Sequence, residues 1–121
     1  MRVVADIIRR NGRIFAKRTG VVDRHRRYSW AEVDRLSNRI ARLLQSKELR
    51  KGGNVGVLSQ NTAFLYVFQG ALAKLGLVLV PLNNLLSMAE LTPIVAELDA
   101  EALFFGDQFE EIATALGDRF I

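Results

Sequence analysis

The chain has 121 residues and half of them are hydrophobic, so its length and composition allow one small domain with a sizeable core. It contains no cysteine and a single histidine, His25, which excludes disulfides, thiolate zinc sites, cysteine nucleophiles and histidine clusters. The first residues lack the apolar core of a signal peptide, and no run approaches the roughly 20 apolar residues that span a bilayer, so we expect a soluble, cytoplasmic protein.

The net charge of +4 is distributed unevenly. Residues 1–51 contain fifteen Lys and Arg against five Asp and Glu, and residues 52–121 contain two against eight, so the halves carry +10 and −6. A basic half is typical of nucleic-acid or membrane-surface patches. We favour a simpler interpretation, in which amphipathic helices carry arginine on their solvent faces or face an acidic partner segment. Aromatic residues do not interleave with the arginines, so we expect no nucleic-acid partner.

The first predicted element is a helix over residues 3–18. Apolar residues recur near helical spacing, with arginines opposite them, at Val4, Ile7, Ile8, Ile14 and Phe15. Gly12 costs a helix about 1 kcal/mol relative to alanine. The pattern therefore leaves a bend or break at Asn11 and Gly12 open.

A short hairpin is predicted next, with strands at 21–23 and 26–28. Its turn falls at Arg24 and His25. This pair is poor turn chemistry, because two-residue hairpins prefer glycine or asparagine.

The second helix has a clear beginning. Ser29 and Glu32 have the spacing of a capping box, and Tyr28 and Val33 have that of a hydrophobic staple. An apolar stripe follows at Val33, Leu36, Ile40, Leu43 and Leu44. We expect the helix to end near Ser46, and a strand to follow over residues 54–59.

The central stretch, residues 61–83, is predicted to be a buried helix, a glycine stop and a buried strand. Residues 62–75 are nearly all apolar, as in a helix enclosed on most sides, with polar tips only at Tyr66, Gln69 and Lys74. Gly76 supplies the left-handed residue that ends the helix. The run 77–80 does not alternate, which favours a parallel strand covered on both faces. Pro81 ends it.

A second capping box, Ser87 with Glu90 and the staple Leu86 and Leu91, predicts a further helix. Pro93 lies past its first turn, so the helix either kinks there or restarts with Thr92 as its cap.

The end of the chain is predicted to form a third buried strand, at 102–105. A last helix then opens at Asp107 with Glu110 in the capping position.

Strands alternating with helices predict an α/β fold with a parallel three-stranded βαβαβ core, preceded by a helix and a short hairpin. Three parallel strands leave two apolar edges, which proteins normally cover or pair. The hydrophobic end at Phe120 and Ile121 agrees with a cut inside a larger domain. We therefore interpret residues 1–121 as a single partial domain.

Chemical motifs are mostly lacking in the sequence. The junction at 59–64 has neither of the glycine-rich phosphate loops and no GxSxG elbow. Ser59 follows a parallel strand, where open α/β sheets bind ligands, but such a serine is more often a surface or capping residue. Asn61 or Thr62 is the predicted N-cap of the central helix.

Three further candidates have simpler structural explanations. His25 has no partner carboxylate and is interpreted as a solvated turn residue. Glu97, Asp99 and Glu101 resemble a general acid–base set but straddle a loop, which favours a solvated rim. Trp30 is interpreted as a packing residue. We therefore predict no catalytic, cofactor-binding or metal-binding residue.

Two stretches of the sequence contain motifs that are more specific than a helix or strand pattern. Residues 28–44 read YSWAEVDRLSNRIARLL, and residues 70–91 read GALAKLGLVLVPLNNLLSMAEL. The first resembles the early motif of adenylate-forming enzymes, in which Leu-Thr-Tyr-x-Glu-Leu precedes an Asn-Arg-Leu-Ala-like segment; its positions are filled by Tyr28, Ser29, Trp30, Glu32, Val33, Asn38, Arg39, Ile40 and Ala41. The second resembles the next motif, carried here by Gly76, Pro81, Leu82 and Asn83. The Pro-Leu-Asn ending is more similar to acid–CoA ligases than to peptide-synthetase adenylation domains.

The resemblance implies a fragment of the large N-terminal domain of an ATP-dependent, AMP-forming acyl-CoA synthetase of fatty acid metabolism. Such enzymes use ATP and magnesium to form an acyl-adenylate and then transfer the acyl group to coenzyme A. The phosphate loop, the magnesium-binding glutamate and the catalytic lysine of the family lie downstream of this segment. We therefore carry over no catalytic residue and expect the chain alone to be inactive.

The expected partners are the remainder of the parent enzyme or a second copy through the sheet edges. The alternative is a stand-alone α/β interaction module that binds a partner through a sheet edge or its basic helices.

Overall fold

The computed structural model describes residues 3–49, 51–60, 62–83, 85–106 and 111. The chain divides into two compact units. The first combines Met1–Glu48 with Asn61–Gly76, and the second combines Leu49–Gln60 with Leu77–Ile121.

The described residues of the first unit form three helices and an antiparallel hairpin. In chain order they are α1 (Val3–Ile14), β1 (Thr19–Val22), β2 (Arg27–Ser29), α2 (Trp30–Gln45) and α3 (Ala63–Leu75). Every one of these elements contributes to their shared core. Its buried residues are Ile8, Tyr28, Val33, Ala63 and Val67, and half-buried Val21, Trp30, Leu36 and Ile40 pack against them.

Helix α1 is shorter than predicted but unbroken at Asn11 and Gly12. It buries Ala5, Ile8 and Asn11, which recur every third residue along one line of the helix. The other four predicted core positions, Val4, Ile7, Ile14 and Phe15, are exposed. Helical spacing identified the apolar residues correctly, but α2 and α3 cover only one narrow line of α1.

Helix α2 begins as its sequence predicts. The Ser29 hydroxyl accepts a hydrogen bond from the Glu32 N–H at 3.2 Å, and the Glu32 carboxylate accepts one from the Ser29 N–H at 2.9 Å. The Ser29 N–H, and after it the Ser29 hydroxyl, stabilise the charged carboxylate and lower the pKa of Glu32 below its ordinary value. The predicted apolar stripe of α2 is wrong at Leu43, which is 65% exposed. The buried face of the helix runs through Ser37 and Ala41 instead.

Helix α3 confirms the predicted central helix and its stop. Thr62 is its N-cap, with the hydroxyl accepting from the Leu65 N–H at 3.4 Å. Gly76 is the C-cap in the left-handed conformation, with φ 73°, which a side chain would disfavour. The alternative cap, Asn61, lies outside the described residues.

The second unit contains a parallel sheet and one described helix. The strands are β3 (Asn54–Leu58), β4 (Val78–Pro81) and β5 (Ala102–Phe105), in the spatial order β4-β3-β5. Helix α4 (Met88–Leu98) packs on the sheet through Leu91 and Val95, against Leu58 and Leu82. The predicted α/β class with a parallel three-stranded sheet is confirmed.

Strand β4 is less buried than predicted. Val78 is 46% exposed, and Leu79 and Val80 are only half buried. The strand pairs with β3 on one side only, so it has the environment of an edge strand within the described residues. The non-alternating apolar run therefore predicted a parallel strand correctly, but it did not predict how far the strand is buried.

Helix α4 runs through Pro93 as one element. The Ser87 and Glu90 capping box is present, with the Glu90 N–H donating to the Ser87 hydroxyl at 3.3 Å. The predicted restart at Thr92 is wrong, because its hydroxyl instead donates to the Met88 carbonyl at 2.7 Å within the helix. The predicted cap of the last helix, Asp107 and Glu110, lies outside the described residues.

We predict that Gly70→Ala destabilises the chain by up to about 2 kcal/mol. A Cβ at residue 70 would lie 2.7 Å from Cδ1 of Ile8 and 3.5 Å from Cβ of Ser37. The overpacking cost of about 1–3 kcal/mol then exceeds the helical gain of about 1 kcal/mol from alanine. Urea denaturation measures the change.

Ile8→Val removes the obstructing Cδ1 atom, so in that background Gly70→Ala should become stabilising by about 0.5–1 kcal/mol. An equal effect of Gly70→Ala in both backgrounds would contradict the close approach of α1 and α3.

Candidate functional site

The carboxyl ends of the three parallel strands share one edge of the sheet. Ser59 follows the central strand β3, Leu82 and Asn83 follow β4, and Gly106 follows β5. Ligands of open α/β sheets bind at this edge. The geometry therefore makes it the candidate ligand-binding edge of the second unit.

The polar groups at this edge are engaged in local structure. The Ser59 hydroxyl donates to the Gln60 carbonyl at 3.0 Å. The Asn83 side-chain oxygen accepts from the Leu85 N–H at 3.0 Å, and the Gly106 N–H donates to the Leu58 carbonyl at 3.0 Å. These contacts shape the strand ends, where Ser59 is half buried. Its role as a surface or capping residue stays a prediction.

The hairpin turn of the first unit is organised by Asp23. Its carboxylate accepts hydrogen bonds from the backbone N–H groups of Ala63, His25 and Arg26, each at 2.7 Å. These three hydrogen bonds lower the pKa of Asp23, and the bond from Ala63 contributes most. The carboxylate thus compensates for the poor turn residues Arg24 and His25, and links the turn to the first residue of α3.

A groove of about 460 Å³ lies beside this turn. Its lining combines basic, aromatic and hydroxyl side chains from the hairpin and from the start of α3: Asp23, His25, Arg26, Tyr28, Thr62 and Phe64. His25 is exposed in the turn, in agreement with its prediction as a solvated turn residue. Because three N–H groups bind the Asp23 carboxylate, its role in the described structure is to stabilise the turn.

Trp30 packs against the core of the first unit, and the acidic candidates Glu97, Asp99 and Glu101 lie at or just after the end of α4. Trp30 is half buried against the core, and its ring lies so close to Gly20 that a Cβ there would be 2.9 Å from Cδ2. Asp99 is the exposed left-handed C-cap of α4, and Glu97 is exposed on the same helix. Glu101 is half buried, and its N–H donates to the Asn54 carbonyl at 2.8 Å.

Lys74 was predicted to offer a polar tip, but its side chain is only 4% exposed. Its ammonium nitrogen lies 2.6 Å from Oδ1 of Asp34, and 2.8 Å from both Oγ of Ser37 and Oδ1 of Asn38. The Asp34 carbonyl is a fourth acceptor at 3.2 Å. A lysine has three donors, so this cluster on α2 satisfies its hydrogen-bonding capacity completely. Lys74 therefore joins α3 to α2.

The sequence contained only a weak signal for this cluster. Asp34, Ser37 and Asn38 have the i, i+3 and i+4 spacing of one helical face, which is an unusual polar interruption beside an apolar stripe. What the pattern lacked was the partner, because Lys74 lies 36 to 40 residues away in the chain.

No metal site is found in the described residues, since no three His, Cys, Asp or Glu side chains group there as ligands. The same residues contain no helix that is long and apolar enough to cross a bilayer.

The comparison with family models decides the family. The model for AMP-binding enzymes matches residues 8–119, nearly the whole chain. The chain belongs to the AMP-binding enzyme family. This confirms the resemblance to adenylate-forming enzymes that the two motifs carry.

Several curated relatives of this chain are named as ligases. The long-chain-fatty-acid–CoA ligase FadD13 of Mycobacterium tuberculosis is 35% identical over 81 residues, which cover 66% of this chain and 16% of FadD13. The peroxisomal benzoate–CoA ligase of Arabidopsis thaliana is 27% identical over 106 residues, which cover 88% of this chain and 18% of that protein. The chain thus spans less than a fifth of the length of these relatives.

Solved structures show the same fold. A fatty acyl CoA synthetase of Mycobacterium tuberculosis superposes with a TM-score of 0.85 at 24% identity, over 93% of this chain and 23% of that one. A benzoate CoA ligase of Burkholderia xenovorans gives a TM-score of 0.86 at 19% identity, over 95% of this chain and 24% of that one. The fold is therefore that of one part of a larger adenylate-forming enzyme.

We predict that Lys74→Met costs about 2–4 kcal/mol of stability, because three side-chain acceptors lose a buried charged donor. Urea denaturation of the variant measures the loss. Lys47→Met removes an exposed lysine in the turn that follows α2 and should change stability by less than about 0.5 kcal/mol. A similar cost for both substitutions would contradict the anchoring role of Lys74.

We predict that Asp23→Asn removes an acid-sensitive part of the stability. The folded-state pKa of Asp23 is lowered below its ordinary value of 3.8, so the charged carboxylate favours the folded state. This stabilisation is complete above the unfolded-state pKa and is lost as the pH falls through the lower folded-state pKa.

The advantage of the wild type over Asp23→Asn in urea midpoint should therefore shrink as the pH falls from neutrality towards about 3. A constant difference across that series would show that the Asp23 charge does not hold the turn.

Proposed function

We propose that this chain is the N-terminal part of an ATP-dependent, AMP-forming carboxylic acid–CoA ligase, and that it is inactive alone. The observation that carries the proposal is the family match over residues 8–119 together with coverage of only 16% of a long-chain-fatty-acid–CoA ligase. In the proposed reaction the substrate carboxylate attacks the α-phosphorus of ATP, forming an acyl-adenylate and releasing pyrophosphate. The thiol of coenzyme A then attacks the acyl carbon and AMP leaves.

The described residues of the segment do not fit a nucleotide or magnesium site. The sequence has no glycine-rich phosphate loop at the end of β3, and no acidic cluster suited to a metal is found in the described part of the chain. We therefore assign the nucleotide and magnesium chemistry to the remainder of the parent enzyme.

The role we assign to this segment is structural. It supplies three parallel strands whose carboxyl ends, at Ser59, Asn83 and Gly106, would form part of a ligand-binding edge. Strands β4 and β5 each pair only with β3 among the described residues, which leaves both edges for further strands of a larger sheet. A cytoplasmic location and a place in fatty acid metabolism stay predictions.

The alternative function is an interaction module that binds a partner through a sheet edge. Val78 on β4 is 46% exposed and Phe105 on β5 is 43% exposed, so both edges present apolar side chains. These exposures fit either a partner protein or the rest of an enzyme, and the family match favours the enzyme.

Replacing the matching segment of FadD13 with this chain tests the proposal. We expect the chimaera to form acyl-CoA from a long-chain fatty acid, and FadD13 lacking the segment to be inactive. We also expect the purified chain to show no ATP–pyrophosphate exchange with any of a panel of carboxylic acids. A folded but inactive chimaera would favour the interaction module, and exchange by the chain alone would refute its assignment as an inactive part.

A further inference from the structure

The groove beside the hairpin turn, which we call the turn groove, has a nearly buried tyrosine in its wall. Tyr28 is only 7% exposed, and its ring belongs to the core of the first unit. In the described part of the chain no hydrogen bond reaches its hydroxyl, and every enclosed polar side-chain atom there has a partner. The hydroxyl is therefore open to solvent, and the surface that Tyr28 lines is the turn groove.

The other polar groups that line the turn groove also have hydrogens to donate. The Thr62 hydroxyl accepts from the Leu65 N–H, so its own hydrogen is available. Arg26 is exposed and has no ion pair among the described residues. His25 is exposed beside it, and an imidazole ring carries at least one N–H in either protonation state. The groove therefore matches a ligand that accepts hydrogen bonds.

The carboxylate in the lining limits the charge of such a ligand. The three N–H groups that bind Asp23 leave its negative charge in place, and this charge offsets that of Arg26. A ligand with one negative charge can pair with Arg26, whereas the second charge of a phosphate dianion would be repelled by Asp23. The lining therefore favours a carboxylate over a phosphate.

The apolar part of the turn groove is aromatic. Phe64 is 47% exposed in the first turn of α3, and the Tyr28 ring lies in the same lining. Aromatic rings gain from offset or edge-to-face contacts with one another. The volume of about 460 Å³ lies within the roughly 300–1,000 Å³ of small-molecule sites, so it accommodates two fused rings.

We propose that the turn groove binds a small aromatic monocarboxylate, whose carboxylate contacts Arg26 and the Tyr28 hydroxyl while its rings pack on Phe64. All of these residues belong to the first unit. The proposal does not depend on the ligase activity, because binding is measured on the purified chain without ATP or coenzyme A. Failure of the FadD13 chimaera and failure of this binding are therefore separate results.

A set of related probes tests the chemistry of the site. Naphthylacetate carries the rings and one charge, naphthylacetamide the rings alone, acetate the charge alone, and naphthyl phosphate the rings with a dianion. Backbone amide shifts in NMR spectra of the labelled chain give the affinity and the place of binding. We expect naphthylacetate to shift the amides of His25, Arg26 and Phe64 with a Kd of about 1 mM, typical of a ligand of this size.

The other three probes should bind at least about fivefold more weakly, because each lacks the ring contact or the single charge. Equal affinity for naphthylacetamide would show that the groove does not recognise a carboxylate. Tighter binding of naphthyl phosphate would make it a phosphate site, and shifts confined to other residues would place the ligand elsewhere. Each of these results would overturn the proposal.

Two neighbouring arginines separate the site from general electrostatic attraction. Arg26→Gln should raise the Kd of naphthylacetate about fivefold, the upper value for an exposed ion pair. The matched control Arg24→Gln removes the same charge from the same turn, but Arg24 does not line the groove. It should raise the Kd less than about twofold, because solvent screens it. Equal effects of the two variants would contradict the proposal.

Tyr28→Phe removes the hydroxyl and keeps the ring in the core, and its urea midpoint establishes that the fold is retained. We expect the Kd to rise about fivefold, as for the loss of one hydrogen bond. An unchanged Kd in this folded variant would contradict the role of the hydroxyl.

Phe64→Ala should also raise the Kd about fivefold through the lost ring contact. Tyr66→Ala, which removes another exposed aromatic residue of α3 from outside the groove, should leave it unchanged. Amide shifts of Arg26 and Phe64 that depend on protein concentration without any probe would assign the groove to a second copy of the chain, and would also overturn the proposal.

Discussion

The buried ammonium group of Lys74 is the interaction on which the helical unit depends. A charge with 4% of its side chain exposed is tolerated only when its hydrogen bonds are complete, and α2 supplies acceptors from one face for this purpose. Ser37, on the same face of α2, lies within van der Waals distance of the position that a Cβ of residue 70 would occupy. The charged cluster therefore lies beside the close approach of α1 and α3 at Gly70. One polar contact thereby specifies how α2 and α3 pack.

Asp23 stabilises the hairpin, as Lys74 stabilises the packing of α2 on α3. Arg24 and His25 are poor turn residues, yet the turn forms because one carboxylate accepts from two N–H groups inside it and from the first N–H of α3. The hairpin is consequently tied to a helix that begins 40 residues later. Both anchors are polar, and each joins segments that are distant in the chain.

The uneven charge of the chain is related to how the carboxylates of its basic half are bound. Of the carboxylates of the basic half, Asp34 pairs with Lys74 and Asp6 with Arg9, whereas Asp23 and Glu32 accept hydrogen bonds from backbone N–H groups in the turn and the cap. The arginines of α1 lie on the same helix as the exposed Ile7 and Ile14, so the positive charge of the basic half stands beside exposed apolar side chains.

Local patterns in the sequence determined the order of the described elements, the caps at Ser29 and Ser87 and the stop at Gly76, because each depends on residues within one helical turn. They left the cap of α3 open between Asn61 and Thr62, and the structure has Thr62 as the cap. The parallel sheet followed from the alternation of strands and helices, and the family from two motifs. Only the tertiary structure decided the rest: the burial of Lys74, the task of Asp23, the exposure of Leu43 and Ile14, and the edge position of β4. Periodicity states which residues share a face, but burial depends on which distant element covers that face, and a single helix or strand does not encode its neighbours.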